Sequence, residues 1–168
     1  MGKRTKVTYG EGMKGMGTDV FISTRNTSYT ITSEVEVQET ANGVLVCQGG
    51  KFGGFSFYIK EGKPVFTYNY VGLETYNIQS DKVLKPGKHT IAYDFKYDGG
   101  GLGKGGTGTI IVDGNKAAEG KLAKTQPGIF SVDDLADVGT DDGTPVADYG
   151  ASAHFNGKLK KVTIEIKK

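Results

Sequence analysis

Residues 29 to 38 alternate strictly. Tyr29, Ile31, Val35 and Val37 fall on one side, and Thr30, Thr32, Glu34, Glu36 and Gln38 on the other. An extended chain turns successive side chains to opposite faces, so this period of two demands a strand with one dry and one wet face. The pattern recurs in Phe55, Phe57 and Ile59, in His89, Ile91, Tyr93 and Phe95, and at the C-terminal end in Leu159, Val162, Ile164 and Ile166. Turn signals separate the runs: Ala41-Asn42-Gly43, Glu61-Gly62-Lys63-Pro64, Pro86-Gly87 and Asp113-Gly114-Asn115. Further strands are expected at residues 20–23, 44–48, 65–70, 76–80, 110–112, 116–122 and 129–132. No stretch carries a helical period. About ten strands at about ten-residue spacing imply an all-β chain of two packed antiparallel sheets. With strands at both ends of the chain, a jelly roll fits, its first and last strands side by side.

The 168 residues suffice for one well-filled core, and residues 9–168 are expected to form a single β-sandwich after a tail over residues 1–8. Glycine is abundant at 27 residues and proline scarce at 4, without a repeat period, which excludes a collagen-like chain and suits Gly-rich turns. A net charge of +2, with the basic residues gathered at the ends, gives no footprint for nucleic acid. No apolar segment approaches the ~18 residues of a membrane span, and the N-terminus has no signal-peptide core. The cytosol is therefore open to the chain, as is the periplasm if it belongs to a longer protein. The single cysteine, Cys47, forms no internal disulfide and reads as a small buried hydrophobe in the run Val44-Leu45-Val46-Cys47.

Against this background residues 130–149, FSVDDLADVGTDDGTPVADY, stand out. They hold six Asp and no Lys or Arg. Asp137, Asp141 and Asp142 lie within six residues, between glycines that permit tight bends. Hard oxygen ligands on such a loop make it the candidate calcium site, although the spacing is not that of an EF-hand. The alternative is an ordered loop whose Asp side chains make Asx-turns.

The same stretch, followed by FNGKLKKVTIEI (155–166), resembles the end of bacterial-type arylsulfatases, where a β-rich C-terminal domain follows the catalytic domain. EGMKGMGTDVFI (11–22), GKHTIAYDFKYDGGGLGKGGTGTIIVDG (87–114) and KTQPGIF (124–130) extend the resemblance over nearly the whole chain. The resemblance implies a sandwich of the concanavalin A-like lectin and glucanase type. It also implies a non-catalytic accessory role: docking onto, or completing the cleft of, a sulfatase-type catalytic domain in cis or in trans. The chemistry itself does not carry over. Formylglycine formation needs Cys or Ser with Pro or Ala at +2 and Arg at +4, and Cys47 is followed by Gln48, Gly49, Gly50 and Lys51.

Other motifs point the same way. Gly101 to Gly106 spells G-x-G-x-x-G, but a strand follows where a dinucleotide site needs a helix. The glycine loop over residues 98–108 is instead read as a mobile docking loop, with Leu102 and Lys104 as its contacts. Glu34 and Glu36 share a face with Thr30, Thr32 and Gln38 and read as a solvated face rather than a glycosidase pair. His89 and His154 have no third partner that would make a triad or a zinc site. Asn26-Thr27-Ser28 matches a glycosylation sequon. The second reading of the chain is a stand-alone carbohydrate-binding module, with Tyr68, Tyr70 and Tyr76 stacking on sugar rings.

Overall fold

A computed structural model describes residues 4–130 and 135–167. Eleven strands form two antiparallel sheets: β1 (Lys6–Tyr9), β2 (Ser28–Val37), β3 (Gly43–Gly50), β4 (Gly53–Lys60), β5 (Lys63–Tyr70), β6 (Glu74–Gln79), β7 (Gly87–Tyr97), β8 (Lys104–Val112), β9 (Asn115–Lys124), β10 (Ala136–Val138) and β11 (Lys158–Lys167). The six-stranded sheet runs β1-β11-β2-β7-β8-β9 and the five-stranded sheet β10-β3-β4-β5-β6. Among the described residues there is no helix. The expected two-sheet antiparallel sandwich is the architecture observed, and the first and last strands are neighbours.

The alternating rows build the interface between the sheets. Ile31, Val35, Ile91, Tyr93, Phe55, Phe57, Ile59 and Phe66 are fully buried there. Phe66 of the five-stranded sheet stacks on Tyr93 of the six-stranded sheet, with ring centroids 3.6 Å apart. Two bulges reconcile sequence with period. Leu159 and Val162 are three apart yet both face inward, because the β11–β2 register slips between Leu159 and Lys161. In β3 a slip between Val44 and Val46 turns Leu45 and Val46 into the main core, while Val44 and Cys47 face outward. That outward pair is still buried, because Val146 and Tyr149 of the 140–153 loop pack over it with Tyr58 and Val65. A four-residue apolar run thus serves two cores.

Several expected boundaries move. The tail ends sooner than residue 8: Lys6–Tyr9 pairs with β11, and Tyr9 stacks on Phe21. Residues 20–23 form no strand. Phe21 N–H closes a turn onto Gly17 and Ile22 N–H donates to the Tyr9 hydroxyl, so two apolar residues are buried without a ladder. The strand expected at 129–132 lies partly outside the described residues, and the short strand found is β10, inside the acidic stretch and paired with β3.

The glycine loop shrinks to residues 98–103, because Lys104–Val112 is strand throughout. Gly106 and Gly108, which lie in the strand, serve packing. A Cβ on Gly108 would lie 2.4 Å from Tyr93 Oη and 2.7 Å from Ile78 Cδ1, and one on Gly106 2.5 Å from the Phe95 ring. At Gly106 and Gly108 β8 has no inward side chain, so aromatic rings lie against its backbone, and Ile110 on the same face fills the core.

Candidate functional site

The described part of the acidic stretch, residues 135–149, is folded back on the five-stranded sheet, and Asp133 and Asp134 lie outside the described residues. Asp137, on β10, is buried and accepts from Gly15 N–H through one oxygen and Asp142 N–H through the other, both at 2.9 Å. Asp141 accepts from Val146 N–H at 3.0 Å and from the Tyr149 hydroxyl. Burial raises the Asp141 carboxyl above its ordinary range, against the pull of these hydrogen bonds. Asp142 turns away from the pair and meets Lys14 Nζ at 3.0 Å. The three expected calcium residues therefore do not converge. What does converge is Asp137, Asp141 and Cys47, whose donor atoms lie within 4.8 Å of one another. The Cys47 thiol donates to the Thr140 carbonyl, and burial holds it protonated by raising its pKa well above normal. Two hydrogen-bonded carboxylates and a neutral thiol are far from the six to eight oxygens of a calcium shell, and the Asx-type bonds account for the arrangement.

The docking residues are placed differently from one another. Leu102 is 73% exposed at the tip of its loop, and Lys104 begins β8. The loop is not loose. Tyr97 Oη donates to the Gly101 carbonyl and accepts from Lys104 N–H, Gly103 N–H donates to Asn26 Oδ1, and Asn26 Nδ2 donates to the Pro127 carbonyl. The Asn26 side chain, the sequon acceptor, is thus the tie between two loops.

Glu34 meets Lys161 at 3.5 Å and Asp94 meets Lys167 at 2.7 Å, and Glu36 lies in register with Lys158 on β11 and Lys88 on β7, so that sheet face is a charged surface of both signs. The tyrosines expected to stack on sugars are engaged. Tyr68 is buried with its hydroxyl accepting from Gln126 N–H, Tyr70 lies under Lys124, and Tyr76 donates to Glu74.

The open feature is the outer face of the five-stranded sheet. Its β3–β4 half is roofed by the 140–153 loop, held by the Val146 and Tyr149 packing, by Tyr149 Oη to Ser56 and by Lys60 to the Asp148 carbonyl at 3.1 Å. Beyond the roof, Val65, Thr67 and Asn69 of β5 are still buried, and β6 lies bare. Thr75, Asn77 and Gln79 stand exposed in one row along β6, with Asn69 and Thr67 beside them on β5, and residues 145–153 form the wall. The trench holds about 1070 Å³. Thr67 Oγ1 donates to Asn77 Oδ1 at 2.6 Å and bonds the Tyr58 hydroxyl at 2.8 Å, so the floor is pre-ordered. This site went unread in the sequence, although the Thr-x-Asn-x-Gln alternation of residues 75–79 carried it.

Comparisons with known proteins address the fold. No family model matches the chain, and no curated protein matches it. Among solved structures, the Ruminococcus gnavus IT-sialidase CBM40 superposes with a TM-score of 0.60 at 15% identity, over 98% of this chain and 92% of that one. The same domain bound to alpha2,3 sialyllactose gives the same figures. The SAP-like pentraxin of Limulus polyphemus gives 0.53 at 12% identity, over 100% and 80%. Domains LG4-5 of the mouse laminin alpha1 chain give 0.54 at 11% identity, over 98% and 40%. At these identities the likeness is one of fold: a jelly-roll sandwich, consistent with the concanavalin A-like type.

Proposed function

We propose that this chain is a non-catalytic carbohydrate-binding module that seats its glycan in the trench on the outer face of the five-stranded sheet. The observation that carries the reading is the row Thr75, Asn77 and Gln79 beside Asn69, three exposed side chains about 7 Å apart along one strand under a fixed wall. Amides and hydroxyls both donate and accept, which matches the hydroxyl edge of a sugar. The tyrosines that line the trench, Tyr58 and Tyr149, are buried, so recognition by the described residues runs through hydrogen bonds. The sialidase CBM40, whose fold this chain shares, has been seen with sialyllactose bound, which supports a glycan as the ligand class.

The test is a glycan array followed by calorimetry on the best hits, with the Asn77→Ala/Gln79→Ala double variant. Saturable binding that the double variant loses, with its melting temperature kept, is the expected result. An array without hits from well-folded protein speaks against the module.

The accessory-domain reading has one observation in its favour: Leu102 is largely exposed on a loop tied at both ends, with Lys104 nearby. A preordered apolar tip loses little entropy on docking. On this reading the Leu102→Ala/Lys104→Ala variant weakens capture of a sulfatase-type catalytic domain and leaves glycan binding unchanged.

A further inference from the structure

At the loop end of the sandwich a separate cleft of about 530 Å³ lies between Phe52 and Leu135. Seven of the eight phenylalanines are buried; Phe52 is 67% exposed. It stands at the tip of the two-residue turn between β3 and β4, next to the turn at Gly72. Leu135, 48% exposed, flanks the opposite side. The floor is Gly15, Gly49 and Gly50, and Thr144 packs on Gly50, where a Cβ would lie 2.3 Å from its Oγ1. The polar rim is the Lys14–Asp142 ion pair, half exposed, and Thr144, whose hydroxyl oxygen accepts from Lys51 N–H.

We propose that this cleft is a second binding site, for a single neutral hexopyranose. A pyranose ring has an apolar C–H face and a hydroxyl edge. The face matches the Phe52 ring, and an exposed aromatic with a polar rim is the usual arrangement for such a contact. The edge matches Asp142, which can accept from two neighbouring hydroxyls, and Lys14, which can donate to one. The ion pair sums to zero and the buried Asp137 carboxylate lies beside it, so an anionic sugar would meet repulsion where a neutral one would not. The proposal is independent of the trench, which uses other residues on another surface.

The experiment is an amide NMR titration of the whole chain with methyl β-D-glucopyranoside, methyl β-D-galactopyranoside and methyl α-D-mannopyranoside, and with sialyllactose as the anionic control. Shifts at Gly49, Gly50, Phe52 and Thr144 are expected with at least one neutral glycoside. Phe52→Ala should weaken that binding about tenfold while Phe52→Tyr keeps it. Asn77→Ala/Gln79→Ala should leave it untouched, which separates failure here from failure of the trench. Absence of cleft shifts with all three neutral glycosides, or wild-type binding by Phe52→Ala, overturns the proposal.

Discussion

His89 is held between two acceptors: its Nδ1 lies 2.6 Å from Asp113 Oδ2 and its Nε2 2.6 Å from the Lys85 carbonyl. Neutral imidazole has one N–H, so only the imidazolium satisfies both bonds. Burial opposes the charge, but the Lys85 carbonyl and the Asp113 carboxylate outweigh it and raise the His89 pKa above its ordinary 6.5. A raised folded pKa gives stability that is complete below the unfolded value and fades as pH climbs through the folded one. Asp113 is shifted the other way: burial raises its pKa, but His89 and Thr90 N–H lower it further, so its share is lost as pH falls through its depressed folded value. In denaturant unfolding the stability difference between wild type and His89→Ala should therefore be largest between about pH 4.5 and 6 and shrink by about 1 kcal/mol toward alkaline pH. Asn26 is a second residue whose use the sequence hid. Its amide bridges Gly103 and Pro127, so Asn26→Ala should free both loops and speed hydrogen exchange at Gly103.

Strand β8 shows how one element can look like another from its residues alone. Its glycines suggest a flexible loop, yet they are the space that Tyr93, Phe95 and Ile78 occupy. Gly108→Ala should therefore cost about 1 to 3 kcal/mol in urea unfolding, an overpacking penalty that no flexible loop would incur. The Leu102→Ala/Lys104→Ala pair, altering exposed side chains, should change the same measurement by no more than about 0.5 kcal/mol. The acidic stretch is also an element with its own test. The carboxylates of Asp137, Asp141 and Asp142 are occupied by N–H, O–H and ammonium donors, so thermal melts in calcium and in chelator should superimpose. A rise with calcium, erased by Asp137→Ala or Asp141→Ala, would assign the ion to the loop after all.

At the scale of the whole molecule, the sandwich was legible because its signals are local: alternation, turn dipeptides and the absence of a helical period. Strands β2, β7 and β11 fall within a few residues of their expected bounds. What was not legible depends on contacts distant in sequence. Tyr68, Tyr70 and Tyr76 look free until Gln126, Lys124 and Glu74 reach them. The trench exists only because residues 145–153 fold over β3, β4 and part of β5 and leave β6 bare. The early strand β1 was missed because its partner lies about 155 residues on, with Lys6 opposite Glu165. That pairing has a topological consequence: the outer ends of β1 and β11, at Lys6 and Glu165, lie side by side. Ile166 N–H donates to the Thr5 carbonyl at 2.7 Å, so a short glycine linker could seal the gap without disturbing a strand. A circular permutant reopened at the β8–β9 turn, between Asp113 and Gly114, should fold to the same β-sheet circular dichroism spectrum. The order in which the strands are threaded could then be rewritten while every neighbour relation between them is preserved.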